Sequence, residues 1–272
     1  MGLFLGGRWF RTNVSRLSAQ IARVAGRLAS SPTLQQLRAR HPQAWEFLVR
    51  RFEPGEYLGL HLTIGLVISI GALWLFGGVT EDVIHHDPLT QFDLVLLEWF
   101  HAHSTTEGVN IFAAISYLGS PLVLTVLGAV IATMLAVKRS WILFAGWVAG
   151  LGGAGVLDEL LKQVIRRPRS SYAAVFLHGY SFSFPSGHAM ASLIGYSMLA
   201  YLLAVFWAKR WRHRVVIVTV AALLILAIGI SRLYLGVHYF SDVVGGYAAG
   251  ALWLSACITG IEIARRQPAI QA

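Results

Sequence analysis

The chain has 272 residues, 56% of them hydrophobic and 13% charged, with a formal charge of +9, and its mean hydropathy is +0.61. These values lie outside the range of soluble globular chains and mark an integral membrane protein. The excess positive charge sits mostly in a leader and in short connections, which suits a membrane face and argues against a nucleic-acid partner.

In chain order, residues 1–56 form a basic leader. Val14, Leu17, Ile21, Val24 and Leu28 recur at helical spacing, with Arg16, Arg23 and Arg27 on a neighbouring face. That pattern predicts an N-terminal amphipathic helix lying in the membrane interface; a flexible basic leader or a partner-binding segment is the other reading. No apolar core of signal-peptide length follows Met1, so a cleaved signal peptide is not expected. The start also lacks the Ser or Thr that myristoylation wants at the sixth position, where Gly6 stands.

Apolar runs long enough to cross a bilayer predict six spans, near residues 58–78, 111–137, 141–161, 189–208, 214–231 and 239–263. The expected fold class is therefore all-α, an integral membrane six-helix bundle preceded by the amphipathic leader. Residues 1–56 are the leader, 57–263 the six-span domain and 264–272 a tail. Nine Arg precede the first span; Lys138 and Arg139, then Lys209, Arg210, Arg212 and Arg214, then Arg265 and Arg266 occupy the second-to-third connection, the fourth-to-fifth connection and the tail. By the positive-inside rule these are cytoplasmic, with both termini. The connection 79–110 holds six acids and no Lys or Arg, as an external loop does. Cys257, the one cysteine, can form no intrachain disulfide. Gly146, Gly150, Gly152, Gly153 and Gly155 give the third span a small face, expected to let helices approach closely.

Five basic residues remain on the external side: Lys162, Arg166, Arg167, Arg169 and Arg232. They defy the charge rule and so need another reason to be there. The third span ends in LKQVIRRPRS, the fourth follows FPSGHAM, and the fifth-to-sixth junction reads SRLYLGVHYFSD. Topology brings all three to one face. Lys162, Arg169 and Arg232 beside Ser186, the Gly187 amide, His188 and His238 suit a group with several anionic oxygens around one centre, a phosphate. The turn feeding the fourth span adds helix-terminal amides to that site. His238 and Asp242 stand four apart, so on one helix face the carboxylate can accept a proton from one ring nitrogen and leave the other basic. His188 could then protonate a leaving oxygen. No carboxylate cluster suggests a metal. From the residues alone, phosphate chemistry, anion binding without turnover and a structural polar network all stand.

The three segments resemble the signature of the type 2 phosphatidic acid phosphatase superfamily, the lipid phosphate phosphatases: K-x6-RP, then PSGH, then SR-x5-H-x3-D. Six residues separate Lys162 from Arg169, Pro185-Ser186-Gly187-His188 matches in full, and Ser231-Arg232 through His238 to Asp242 matches in identity and gap. The departure is Ser170 in place of the motif proline, expected to loosen Arg169 modestly.

The resemblance covers roughly residues 57–263 and implies a lipid phosphatase that needs no cofactor. His238 would be the nucleophile, Asp242 its orienting partner and His188 the general acid and base. Lys162, Arg169, Ser186, Gly187 and Arg232 would hold the phosphoryl oxygens. The implied partners are membrane phospholipids and a lipid phosphate substrate: phosphatidic acid, phosphatidylglycerol phosphate or an isoprenyl diphosphate. The implied location is a bacterial inner membrane with the site at its periplasmic face.

A phosphotransferase using the same phosphohistidine, or a non-catalytic lipid-phosphate binder, are the rival readings. Arg166 and Arg167 match no signature position and read as headgroup contacts or surface charge. Asp158, four before Lys162, either pairs with it at the phosphate or caps its charge. His85, His86, His101, His103 and His178 read as loop residues without catalytic work. Segments 79–110 and 171–184 are where headgroup and chain selectivity would lie; Tyr172, Phe176, Tyr180 and Phe182 of the latter read equally as interfacial anchors.

Overall fold

In the computed structural model of the chain, the described residues are 57–85, 87–175, 182–207 and 210–266. The leader with its expected interfacial helix lies outside them, as do His86, Phe176, His178, Tyr180, Lys209 and residues 267–272. Among the described residues all regular structure is helical: α1 (Tyr57–His85), α2 (Pro88–Ala102), α3 (Thr106–Leu118), α4 (Pro121–Val137), α5 (Trp141–Ile165), α6 (Gly187–Phe206), α7 (Trp211–Tyr234) and α8 (Phe240–Arg266), with a 3-10 turn at Ser171–Val175. Among the described residues, six stretches are long and apolar enough to cross a membrane: Leu62–His85, Thr106–Val137, Trp141–Ile165, Gly187–Phe206, Trp211–Tyr234 and Phe240–Arg265. Helices prevail because hydrocarbon offers no partner for backbone N–H and C=O groups, which must be satisfied within the segment.

Two expectations change. The acidic connection 79–110 is not a loop: α1 continues to His85, and α2 occupies Pro88–Ala102. Asp87 stands extended at the N-cap with Pro88 at the first helical position, where a missing N–H does no harm. At 15 residues, α2 is too short to cross about 30 Å of hydrocarbon at about 1.5 Å per residue. It buries Asp93 and Leu97 and exposes Phe92, Val95 and Trp99.

The second span, expected as one helix over 111–137, is two. Gly119 closes α3, Ser120 Oγ accepts from the Val123 amide at 3.3 Å, and Pro121 opens α4. The break is steric as well as local, since a Cβ on Gly119 would lie 2.6 Å from Ile228 Cγ2.

Helix α6 is the hub, packing against α4, α5, α7 and α8. The main core joins Leu135, Leu143, Trp147, Met190, Ile194, Met198 and Ile261. The small face of α5 divides in two. A Cβ on Gly146, Gly150 or Gly153 would fall 2.2–2.4 Å from Ile261, Met198 or Trp253, so these glycines set the approach of α5 to α6 and α8. Gly152 and Gly155 have no atom within 4 Å of such a Cβ and line a cavity instead. Close packing accounts for the first three only.

Candidate active site

The ends of α5, α6, α7 and α8 bring the three polar segments together. The second segment turns through Phe184 and Pro185, and Ser186 leads into α6. The Ser186 amide donates to the Asp242 carbonyl at 2.9 Å, which ties this turn to the start of α8. Two glycines on α8 allow the seat: a Cβ on Gly246 would meet the Ser186 carbonyl oxygen at 2.6 Å, and one on Gly245 would meet the Phe184 ring at 2.6 Å. Helix α6 begins without a side-chain cap, and Ser186 Oγ is buried without a partner. An uncapped helix start carries free amides and partial positive charge, which suits an anion.

His238 differs from its expected placement. Helix α8 begins at Phe240, so His238 lies in the preceding loop and shares no helix face with Asp242. The pair forms nonetheless: His238 Nδ1 lies 3.2 Å from Asp242 Oδ2, and the same oxygen accepts from the Tyr239 amide at 2.9 Å. On the other side of the ring, Arg169 Nη1 is 3.4 Å from His238 Nε2 and donates to the Val237 carbonyl at 2.9 Å. A guanidinium only donates, so these partners assign the proton to Nδ1 and the lone pair to Nε2. Burial foremost, then the Arg232, Arg169 and Lys162 cations, hold the His238 imidazole well below its ordinary value of 6.5. Arg169 is itself lowered, by burial, with Asp242 and Asp158 opposing the shift.

The neighbours hold the cations in place. Lys162 Nζ lies 2.6 Å from Asp158 Oδ2, and Asp158 Oδ1 is buried without a partner. Arg232 Nη1 donates to Ser116 Oγ at 2.6 Å, while its Nε is buried without a partner. Ser116 stands on α3 just before the break in the second span, and nothing in its sequence context marked it. Ser170, expected to loosen Arg169, instead donates from Oγ to the Gly236 carbonyl at 2.5 Å. A proline could not make this bond, which ties the first segment to the third where Gly236 turns through φ +65°.

Arg167 is the clearest correction. It is neither a headgroup contact nor surface charge: its side chain is 11% exposed and bridges Asp93 and Asp242 at 2.8 and 2.6 Å. Burial alone would lower its pKa, but the two carboxylates prevail and raise it. Arg166 is exposed, and its Nε donates to the Gln163 carbonyl at 2.8 Å. His85, His101 and His103 stand at the ends of α1 and α2, away from the cavity; His101 stacks on Tyr172 and His103 on Trp99.

A cavity of about 580 Å³ opens from this cluster. Its polar end has Asp158, Lys162, Arg169, His188, Arg232 and His238; its apolar extension runs between α4, α5 and α6 past Leu124, Gly128, Trp147 and Leu151. Gly119 and Pro121, from the break in the second span, form part of the wall. The arrangement can accept an anion at one end and a hydrocarbon chain at the other.

Residues 141–266 match the PAP2 superfamily. The chain is 39% identical over 97 residues to phosphatidylglycerophosphatase B of Bacillus subtilis, covering 36% of this chain and 47% of that protein. It is 34% identical over 121 residues to lipid A 1-phosphatase of Rhizobium johnstonii, covering 41% and 44%. A third relative is decaprenylphosphoryl-5-phosphoribose phosphatase of Mycobacterium tuberculosis, 30% identical over 135 residues and covering 48% and 65%. The chain thus spans less than half the length of the first two. Among solved structures, a transmembrane PAP2-type phosphatidylglycerolphosphate phosphatase from Bacillus subtilis superposes with a TM-score of 0.66 at 26% identity, covering 73% of this chain and 96% of that one. Residues 141–266, which hold the three ordered motifs, therefore form a PAP2 superfamily domain.

Proposed function

We propose that this protein hydrolyses a phosphate monoester or diphosphate carried by a membrane lipid. The observation that carries the reading is the placement of His238 Nε2 at the polar end of the cavity, beside Lys162, Arg169 and Arg232, with Ser186 Oγ and Arg232 Nε buried nearby and lacking partners. Buried polar atoms without partners call for a ligand, and here the ligand must be an acceptor-rich anion. Three side-chain cations can neutralise a phosphoryl group, so the reading assigns no metal. The apolar extension supports a substrate with an attached hydrocarbon chain.

Nε2 of His238 attacks phosphorus and the bond to the lipid oxygen breaks, giving a phosphohistidine; His188 supplies the proton to the leaving oxygen. Water then attacks the phosphohistidine, His188 takes its proton, and free phosphate leaves with the nucleophile restored. Asp242 accepts from Nδ1 throughout and stabilises the cationic intermediate. Lys162, Arg169, Arg232, Ser186 and the Gly187 amide hold the equatorial oxygens as charge gathers on them. The working unit in this reading is the six-span segment 57–263. Loop charges favour this end of the helices outside and both termini inside, and the bacterial sources of the relatives support a bacterial inner membrane.

The test is phosphate release from phosphatidic acid, phosphatidylglycerol phosphate and isoprenyl diphosphates by detergent-purified protein in EDTA, with His238→Ala alongside. Release that survives EDTA and disappears in the variant is the expected result. Release that persists in the variant sinks the nucleophile assignment. No free phosphate without an acceptor, with the phosphoryl group recovered on an added second lipid or sugar, identifies a phosphotransferase.

A further inference from the structure

Arg167 and Arg169 are two residues apart and serve opposite sides of the same histidine. Arg169 lines the cavity, whereas Arg167 does not. Arg167 reaches behind the ring into a closed polar cluster. Its Nη1 donates to Asp242 Oδ1 at 2.6 Å and to Ser241 Oγ at 2.7 Å, and its Nη2 donates to Asp93 Oδ2 at 2.8 Å. Asp93, the buried carboxylate of α2, also accepts from the Ser241 amide at 2.8 Å through Oδ1 and from Ser241 Oγ through Oδ2. The Tyr239 ring lies under the guanidinium at 4.2 Å. The side chains of Asp93 and Asp242 are both 0% exposed.

This cluster divides the work of the Asp242 carboxylate. Oδ2 faces His238 Nδ1 and the Tyr239 amide, and Oδ1 faces Arg167, so the group cannot rotate without breaking a charge-assisted hydrogen bond. A buried carboxylate with only a neutral imidazole as partner would be severely destabilised. The planar guanidinium fork reaches the two carboxylates through two separate nitrogens, a fixed geometry that a single ammonium does not offer. Asp93 in turn fixes Arg167 and the Ser241 backbone to α2.

We propose that Arg167, held by Asp93, is a positioning residue for the nucleophile: it fixes and charge-balances Asp242, which orients His238, and it does not touch substrate. The proposal rests on the reading of His238 as nucleophile. It makes α2, a helix outside the three motifs, a working part of the site.

The experiment compares steady-state turnover of a short-chain phosphatidic acid by full-length protein in detergent, as wild type and as His238→Ala, Arg167→Gln, Arg167→Lys, Asp93→Asn, Asp242→Asn and Arg167→Gln/Asp242→Asn. Arg167→Gln should lower kcat by about 100-fold, a factor typical of a misplaced reacting group, with KM within about 3-fold of wild type. Arg167→Lys should not restore it, and Asp93→Asn should lower kcat in the same manner but less. Because Arg167 acts through Asp242, adding Arg167→Gln to Asp242→Asn should change kcat by less than about 2-fold, the signature of coupled residues. If Arg167→Gln fails to fold, the isosteric Asp93→Asn and its double variant with Asp242→Asn carry the same comparison.

A rise in KM at unchanged kcat would make Arg167 a substrate contact and overturn the proposal. So would a lowered melting temperature with both constants intact, or full additivity with Asp242→Asn. Turnover that persists in His238→Ala would overturn the reading of the site and this proposal with it; loss in His238→Ala with intact Arg167 and Asp93 variants would overturn the proposal alone.

Discussion

His238 carries the most information at the scale of one residue. Its depressed pKa follows from burial and from three cations, Arg232, Arg169 and Lys162, on the cavity side of the ring. The folded value lies below the unfolded one, so the unfolded chain takes up the proton more readily as pH falls past 6.5. The neutral imidazole therefore contributes stability above that pH and loses it below. Nitrogen-15 NMR of the labelled imidazoles in micelles, with His238→Ala to identify the resonance, should find His238 neutral at about pH 5.5, a unit below the ordinary imidazole value. A midpoint at or above 6.5 would show that the cations do not act on the ring in this way. The melting temperature of the wild type should also fall more steeply below pH 6.5 than that of His238→Ala. Neighbouring residues teach a related point: Ser170, Arg167 and Arg169 lie within four positions, yet one ties a loop, one sits behind His238 and one faces the cavity.

Among the elements, the least regular ones build the site. The break at Gly119-Ser120-Pro121 supplies cavity wall and sets Ser116 against Arg232, and α2 supplies Asp93. The turn before α6 depends on α8 for its seat, through the Gly246 position and the bond from the Ser186 amide to the Asp242 carbonyl. A methyl on Gly246 meets backbone, which cannot swing aside as a flexible side chain can. Gly246→Ala should therefore push Ser186 and Gly187 out of register and lower kcat/KM by about 100-fold, as a displacement of about 1 Å in an active site does. The six spans should survive, since the change lies at one end of two helices. Circular dichroism and size-exclusion chromatography check the fold, and phosphate release checks the function. Unaltered turnover would mean that the turn is not held in place by α8.

Across the unit His61–Ala272, the six spans set a polar cluster at one end of an apolar cavity running along α4, α5 and α6. Gly152 lines that cavity, and a Cβ there meets nothing within 4 Å, so a larger side chain can enter the space without disturbing the core. Gly152→Leu should raise KM for a sixteen-carbon lipid phosphate by about 10-fold, equivalent to displacing roughly two buried methylenes at about 0.8 kcal/mol each. It should leave KM for a water-soluble aryl phosphate within about 2-fold of wild type, because that substrate uses the polar end alone. Equal effects on both substrates would mean that the chain does not occupy this part of the cavity.

What the sequence determined by itself was the membrane class, six crossings and the ten positions that match the signature. Hydrophobic run length is a local property set by bilayer thickness, and ordered motifs keep their spacing whatever the packing. Run length alone passed over the helix starts at Asp87-Pro88 and Ser120-Pro121, although each carries a local start signal, a proline just inside the helix. Only the tertiary structure decided the partners. Asp93 and Arg167 are 74 positions apart, and Arg232 and Ser116 are 116 apart; no periodicity links such pairs. Nor could local pattern separate Gly152 from Gly153, one lining the cavity and the other pressed against Trp253. The same residue type on adjacent positions meets open space or an indole according to how the helices cross, and that crossing is settled by the packing of all of them together.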